Sequence, residues 1–235
     1  MNLHIHPTPA DACRALIGDI LRLAESLPQT EPLNVALSGG STPALLFRLW
    51  ADEFAAATPW ERIRLFWVDE RCVPPTHAES NYGMTERELL ARVPIPAANV
   101  LRIHGEADPA AEALRYSRQA LELLPQVDGF PVFHLVLLGV GDDGHTSSIF
   151  PGQEALLTTG EPYAVALHPQ SGQLRIALTG QPIIRSPRVA YLVTGAGKAA
   201  VVQALLASAQ SGPAAYLAHT VRGEVSLYGD AALSR

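Results

Sequence analysis

Two carboxylates, a glycine, an imidazole and three hydroxyls stand together in the run Asp142-Asp143-Gly144-His145-Thr146-Ser147-Ser148. The stretch before them, Phe133 to Leu138, is apolar except for His134 and is closed by Gly139 and Gly141. Such a short apolar run predicts a strand buried on both faces, as in a parallel sheet. Polar residues at the carboxyl end of that strand occupy the rim where open α/β sheets bind ligands. His145 is the side chain of this set suited to exchanging a proton near neutral pH.

A second cluster is Ser38-Gly39-Gly40-Ser41-Thr42-Pro43, between an apolar strand at Leu33 to Leu37 and a helical pattern through Leu45, Leu46, Leu49 and Trp50. The glycines let backbone N–H groups approach an anion without Cβ interference, and the first helical turn adds free N–H groups and positive potential. Thr42 is expected to cap the helix, with Pro43 at its first position. The lysine and spacing of a Walker A loop are missing. The other reading is a plain strand-to-helix turn.

A third cluster, Asp69-Glu70-Arg71, ends the apolar run Ile63 to Val68. Charges beside an apolar strand are expensive to bury unpaired, so they either cap and pair locally or surround a polar substrate. Asn81 is either a first-turn helix residue or a ligand contact. Arg175 lies inside a strand pattern and must face solvent, an edge or a ligand. Lys198 opens a helical pattern, where an ammonium is unfavourable unless an anion is also present. That misplacement points to a phosphate.

The elements that must position these residues follow from periodicity. Helices are expected at residues 9–27, at Glu86 to Arg92 with Ser80 and Asn81 opening it, at Asp108 to Leu124, near Glu154 to Leu157, and at Ala199 to Leu206, with a short terminal one at Asp230 to Leu233. Strands are expected at Val100 to Ile103, Tyr163 to Leu167, Leu174 to Leu178, Arg188 to Val193 and Val225 to Tyr228. The alternation implies a doubly wound, mainly parallel sheet in a three-layer α/β/α sandwich, one domain over residues 1–235. All the polar clusters fall just after strands, so such a fold gathers them on one rim.

Composition bounds the partners. The 235 residues are 48% apolar and 17% charged with a net charge of -6, which disfavours nucleic acid and anionic membranes as partners. No apolar run approaches the ~18 residues of a membrane span, and the start MNLHIHPTPADAC lacks a leader pattern, so a cytoplasmic protein is expected. Cys13 and Cys72 fit no disulfide or CxxC framework. His4, His6, His77, His104, His134, His168 and His219 are scattered, so no metal site is expected.

Five ordered motifs carry a resemblance: LSGGSTP (37–43), VDERCVPPTHAESNYGM (68–84), LGVGDDGHTSSIFPG (138–152), RIALTG (175–180) and VTGAGKA (193–199). Together they resemble the 6-phosphogluconolactonases over nearly the whole chain. The superfamily also holds glucosamine-6-phosphate deaminase, which shares SGGSTP and DGH. Its later loop reads more like DGHIAFNEPG, with a glutamate needed for ring opening, and its strand end reads DEY. The DGHTSSIFPG and DER of this chain favour the lactonase, with TSS where TAS is usual.

The resemblance implies hydrolysis of 6-phospho-D-glucono-1,5-lactone in the oxidative pentose phosphate pathway, by a three-layer α/β/α enzyme with no metal or organic cofactor. A lactone is an activated ester, so a positioned base suffices and no covalent nucleophile is demanded. His145 is expected as that base, oriented by Asp143, with Gly39, Gly40, Ser41, Thr42, Arg175 and Lys198 around the phosphate. Arg71 is expected at the sugar or the developing oxyanion, with Asp69 and Asn81 as further substrate contacts. No nucleophile elbow surrounds Ser147 and Ser148. The partner is a small sugar phosphate, bound by a monomer or small homo-oligomer. Two rivals are an amino-sugar-phosphate isomerase or deaminase using Asp69 as base, and a non-enzymatic sugar-phosphate sensor.

Overall fold

The computed structural model of the chain describes residues 1–234. The first half of the chain runs β1 (Asn2–His6), α1 (Pro9–Ser26), β2 (Leu33–Leu37), α2 (Ser41–Glu53), β3 (Ile63–Trp67), β4 (Asp69–Arg71), α3 (Asn81–Glu88) and α4 (Pro109–Leu123). The second half runs β5 (Gln126–Val127), β6 (Phe130–Pro131), β7 (Leu135–Leu138), α5 (Ala155–Thr158), β8 (Tyr163–Leu167) and β9 (Leu174–Leu178). It ends with α6 (Gly180–Arg185), β10 (Arg188–Leu192), α7 (Ala199–Ala207), α8 (Pro213–Thr220) and β11 (Glu224–Asp230).

Six strands form the central sheet in the order β1-β11-β10-β7-β2-β3, and every neighbouring pair is parallel. A parallel sheet is covered on both faces, and β2 and β7 are accordingly buried along their whole length. The chain leaves β2 outward to β3, then returns past β2 to β7. Right-handed connections therefore put α2 and the segment before β7 on opposite faces. The crevice between the carboxyl ends of β2 and β7 is the switch point of the topology, the place where such sheets take ligands. The loops after those two strands carry the glycine-hydroxyl cluster and the His145 cluster.

Helix α1 shows why the local sequence folds as it does. The Thr8 hydroxyl accepts the Asp11 N–H and a proline sits in the first turn, a strong start signal. Its buried stripe is Cys13, Leu16, Ile17, Ile20, Leu23 and Ala24, the face read from periodicity.

Five differences from the sequence reading have physical causes. Strands β8 and β9 do not join the central sheet; with β4 they form a separate antiparallel sheet in the order β4-β9-β8. Val68 is the seam: its N–H donates to Leu37 of the central sheet, while its carbonyl accepts the Leu178 N–H of the small one. Val100 to Ile103 form no strand. Val100 makes one isolated bridge to Leu65, and side chains satisfy the backbone beyond it, the Tyr116 hydroxyl donating to the Leu101 carbonyl and Glu112 accepting the His104 N–H.

Helix α3 opens at Ser80 and Asn81 as expected, the Ser80 hydroxyl capping it by accepting the Gly83 N–H at 2.9 Å, but it ends at Glu88: Leu89 leaves helical geometry and Leu90–Arg92 form a separate 3-10 turn. Gly40, with φ +113°, is the cap of α2 in place of Thr42, and no side chain caps that helix. Helix α6 and the β5–β6 hairpin were not anticipated, being too short to show a period.

Candidate active site

The loop after β7 is shaped around His145. Its Nδ1–H donates to Oδ1 of Asp143 at 2.6 Å, and its backbone N–H donates to the same oxygen at 3.1 Å. Two donors on one carboxylate oxygen lock the ring orientation and leave the Nε2 lone pair open. Burial raises the Asp143 pKa, but these two hydrogen bonds and the imidazole charge outweigh it and hold the carboxyl below its ordinary range. A Cβ on Gly141 would stand 2.1 Å from His145 Nδ1, so only glycine admits the pair.

Beyond His145 the chain turns through Ser147 and Ser148, both at positive φ (50° and 53°). Consecutive left-handed residues without glycine cost ~1–2 kcal/mol each, so the surroundings must impose them. The Ser147 hydroxyl lies 2.8 Å from the Val68 carbonyl and 2.9 Å from that of Leu178, tying the loop to both sheets at their seam. The Ser148 hydroxyl donates to Oδ2 of Asp69 at 2.5 Å and accepts from Nη1 of Arg175 at 3.2 Å. Neither serine hydrogen-bonds to a histidine, and the Ser148 hydroxyl is held between Asp69 and Arg175, in keeping with the absence of a nucleophile elbow.

Asp69, Glu70 and Arg71 divide their roles. The Asn81 carboxamide donates to the Asp69 carboxylate at 3.2 Å and to its backbone carbonyl at 2.9 Å. A Cβ on Gly39 would fall 1.9 Å from Asn81 Oδ1; Gly39 is thus needed for close approach of the two loops. Glu70 is turned away from the cleft, where it accepts the backbone N–H groups of Arg71, Asn81 and Tyr82 and the Ser80 hydroxyl. Burial nonetheless outweighs these four bonds and pushes its pKa up. Glu70 therefore anchors the start of α3 and, with it, Asn81. Arg71 donates to the Glu79 carbonyl, and the Nε atoms of Arg71 and Arg175 are both buried without a partner.

At the other side of the crevice, uncapped α2 presents its first N–H groups beside Ser41 and Thr42. The Thr42 and Thr194 hydroxyls lie 3.1 Å apart, joining the loops after β2 and β10. Buried Asp230 accepts the Gly195 N–H at 2.8 Å, fixing the turn that delivers Lys198. The Lys198 ammonium donates to Asp142 at 2.6 Å and to the Val140 carbonyl at 2.8 Å. Its electrostatic misplacement at the helix start is thus met by a carboxylate that is itself 84% exposed.

These groups share one cleft of about 240 Å³, lined by the 38–43 loop, Asp69, Arg71, Asn81, residues 139–141 and 145–148, Arg175, Thr194 and Lys198. Asp143 sits behind His145 rather than in the lining. Another cavity of about 300 Å³ lies under α1 at the opposite end of the sheet, but charged and polar groups in its lining pair with one another, Tyr228 and Arg22 with Asp19 and Arg188 with Glu224. Every residue singled out from the sequence for the site is in the cleft or bonded to a residue that is. Sequence reasoning assigned no site role to Ser148, Gly141, Asp142 and Asp230. Only contacts across the fold reveal their places.

The whole chain is comparable to known proteins. The family model described as glucosamine-6-phosphate isomerases/6-phosphogluconolactonase matches residues 7–227. A 6-phosphogluconolactonase of Treponema pallidum is 43% identical over 201 residues, covering 85% of this chain and 82% of the relative. The solved devB protein superposes with a TM-score of 0.93 at 40% identity, covering 99% of this chain and 98% of its own. The solved 6-phosphogluconolactonase of Trypanosoma brucei gives a TM-score of 0.87 at 32% identity, over 99% and 97% of the two chains.

Proposed function

We propose, on the premise that the chain belongs to the glucosamine-6-phosphate isomerase/6-phosphogluconolactonase family, that it hydrolyses 6-phospho-D-glucono-1,5-lactone to 6-phospho-D-gluconate in the oxidative pentose phosphate pathway. The observation that carries this reading is the Asp143–His145 pair, aimed into a cleft that also holds an uncapped helix start, two arginines and a lysine.

The chemistry follows from the placement. The phosphate lies against the N–H groups and hydroxyls of Ser41 and Thr42, with Lys198 and Arg175 as counter-charges. Nε2 of His145 takes a proton from water as the water oxygen attacks the lactone carbonyl. The carbonyl oxygen gains negative charge, which Arg71 stabilises with fixed N–H donors. The tetrahedral intermediate collapses by breaking the bond to the ring oxygen, which takes the proton back from Nε2. Asp143 keeps the imidazole in the tautomer that can do both. Asp69 and Asn81 hold the frame, and Ser148 fixes Arg175.

The deaminase alternative needs a free base for proton abstraction at C2. Asp69, its candidate, already accepts from Asn81 and Ser148, which leaves the lactonase as the better reading. A sensor has no use for the Asp143–His145 pair. Among the described residues no helix is long and apolar enough to cross a membrane. A cytoplasmic enzyme of one domain, monomer or small homo-oligomer, without nucleic-acid or membrane partners, completes the proposal.

The test is lactone hydrolysis with spontaneous opening subtracted, for wild type and His145→Ala. The variant is expected to lose about 10²- to 10⁴-fold in kcat while still binding 6-phosphogluconate. A wild type that binds sugar phosphates yet matches the uncatalysed rate overturns the reading.

A further inference from the structure

His168 is the second imidazole near the cleft. It follows β8 and opens the turn to β9: its N–H donates to the Gln173 carbonyl and its carbonyl accepts the Gly172 N–H, each at 2.9 Å. In the small sheet Arg175 stands opposite both Ala166 and Arg71. Strand side chains alternate between faces, so His168, two positions after Ala166, shares the face of the two arginines. Its Nδ1 accepts the N–H groups of Ser171 at 3.2 Å and Gln170 at 3.4 Å. Two donors occupy the Nδ1 side, so the neutral ring carries its proton on Nε2.

The ring packs edge-on against Phe150, with centroids 5.1 Å apart, and Phe150 in turn meets His145 at 4.5 Å. The Arg175 guanidinium lies over the same phenyl ring at 5.5 Å. Phe150 is 1% exposed and forms the floor between two partly exposed imidazoles. Burial, the neighbouring guanidinium of Arg175 and the His145 ring lower the His168 pKa, which keeps it a neutral donor. His168 is outside the lining of the cleft proper; it stands one ring further out from His145, at the rim.

We propose that His168 is a specificity-determining residue, its Nε2–H donating to a sugar hydroxyl remote from the carbonyl that His145 serves. The inference rests on the lactonase reading. Beside Arg71 and Arg175 a third cation would be repelled, whereas a neutral directional N–H adds recognition without adding charge. A site built to hydrogen-bond a hydroxyl discriminates against compounds that lack it. A contact made equally to substrate and transition state raises KM when it is lost and leaves kcat in place.

Two substitutions separate this role from support of the turn. His168→Asn keeps an acceptor near Nδ1 and removes the Nε2 donor, while His168→Gln keeps an N–H near Nε2 and removes the turn's acceptor. KM and kcat are measured on 6-phosphogluconolactone, and the Kd of 6-phosphogluconate and of inorganic phosphate by calorimetry. In His168→Asn, KM and the 6-phosphogluconate Kd are expected to rise about 5- to 10-fold, as for one lost neutral hydrogen bond. Its kcat is expected to stay within about 2-fold, with phosphate affinity unchanged, and His168→Gln to stay near wild type in KM.

Wild-type affinity in His168→Asn, equal impairment of both variants, or a parallel loss of phosphate affinity each overturns the proposal. Failure of the lactonase reading is a different result, since it shows in the wild type, which then fails to accelerate hydrolysis. Product binding by the variants still decides the part of His168 in that case, and a wild type that binds no 6-phosphogluconate defeats both.

Discussion

Arg71 and Arg175 stand directly opposite one another across β4 and β9, and each carries a buried Nε with no partner. Like charges in that position destabilise a strand pair. Burial first, and Arg71 second, depress the Arg175 pKa. The resting site therefore holds an electrostatic tension that an anion relieves. Arg175→Met is expected to raise resting stability, by up to about 1 kcal/mol, while raising the KM for the phosphorylated lactone. Thermal unfolding with and without 6-phosphogluconate checks both. A variant less stable than wild type that keeps its KM contradicts the argument.

The Asp143 carboxyl is held below its ordinary range, which fixes a sign. A carboxyl with a depressed folded pKa contributes stability above its unfolded value of about 3.9, and that contribution is lost as pH falls through the folded pKa. Asp143→Asn should flatten this acid loss of stability. At neutral pH it should also cut kcat by about 10²-fold or more, because the amide can favour the wrong imidazole tautomer. Acid unfolding curves and kcat measured on the same two proteins provide the check; an Asn variant with near-normal kcat removes Asp143 from the mechanism.

The contact between Lys198 and Asp142 is exchangeable, since exposed ion pairs contribute ~0–1 kcal/mol and Asp142 is mostly in solvent. An incoming phosphate competes with Asp142 for the ammonium. Asp142→Asn should therefore tighten the binding of inorganic phosphate a few-fold, and Lys198→Met should weaken it well beyond that. Isothermal titration of both variants is decisive, and weaker phosphate binding by Asp142→Asn would show that the carboxylate positions the lysine instead.

Much of this site was legible because its residues are strand-end clusters of unusual chemistry. Apolar runs that end in polar residues place Gly39 to Thr42, Asp69 to Arg71 and His145 on one rim. What was not legible depends on distance in the chain. Nothing local says that Ser148 bridges Asp69 and Arg175, or that Asp230 holds the turn before Lys198. The partition into two sheets was hidden for a similar reason. Tyr163 to Leu167 and Leu174 to Leu178 have the composition of any buried strand, and which sheet they join is decided by the Val68 carbonyl. Gly141 looked like strand punctuation, yet its missing Cβ is the room that His145 occupies.

That single residue, Val68, with its N–H in one sheet and its carbonyl in the other, has a wider consequence. The proton-transfer loop and the anion-binding helix start belong to the large sheet, while Arg71, Arg175 and His168 belong to the small one. The base and the phosphate-binding helix start thus sit on one plate, while the guanidinium at the oxyanion and the rim imidazole sit on the other, stitched at Val68 and at the Ser147 hydroxyl. Changes confined to the small plate can retune which sugar is admitted while the base and its carboxylate stay where they are. The stitch itself is the position where a substitution disturbs both at once.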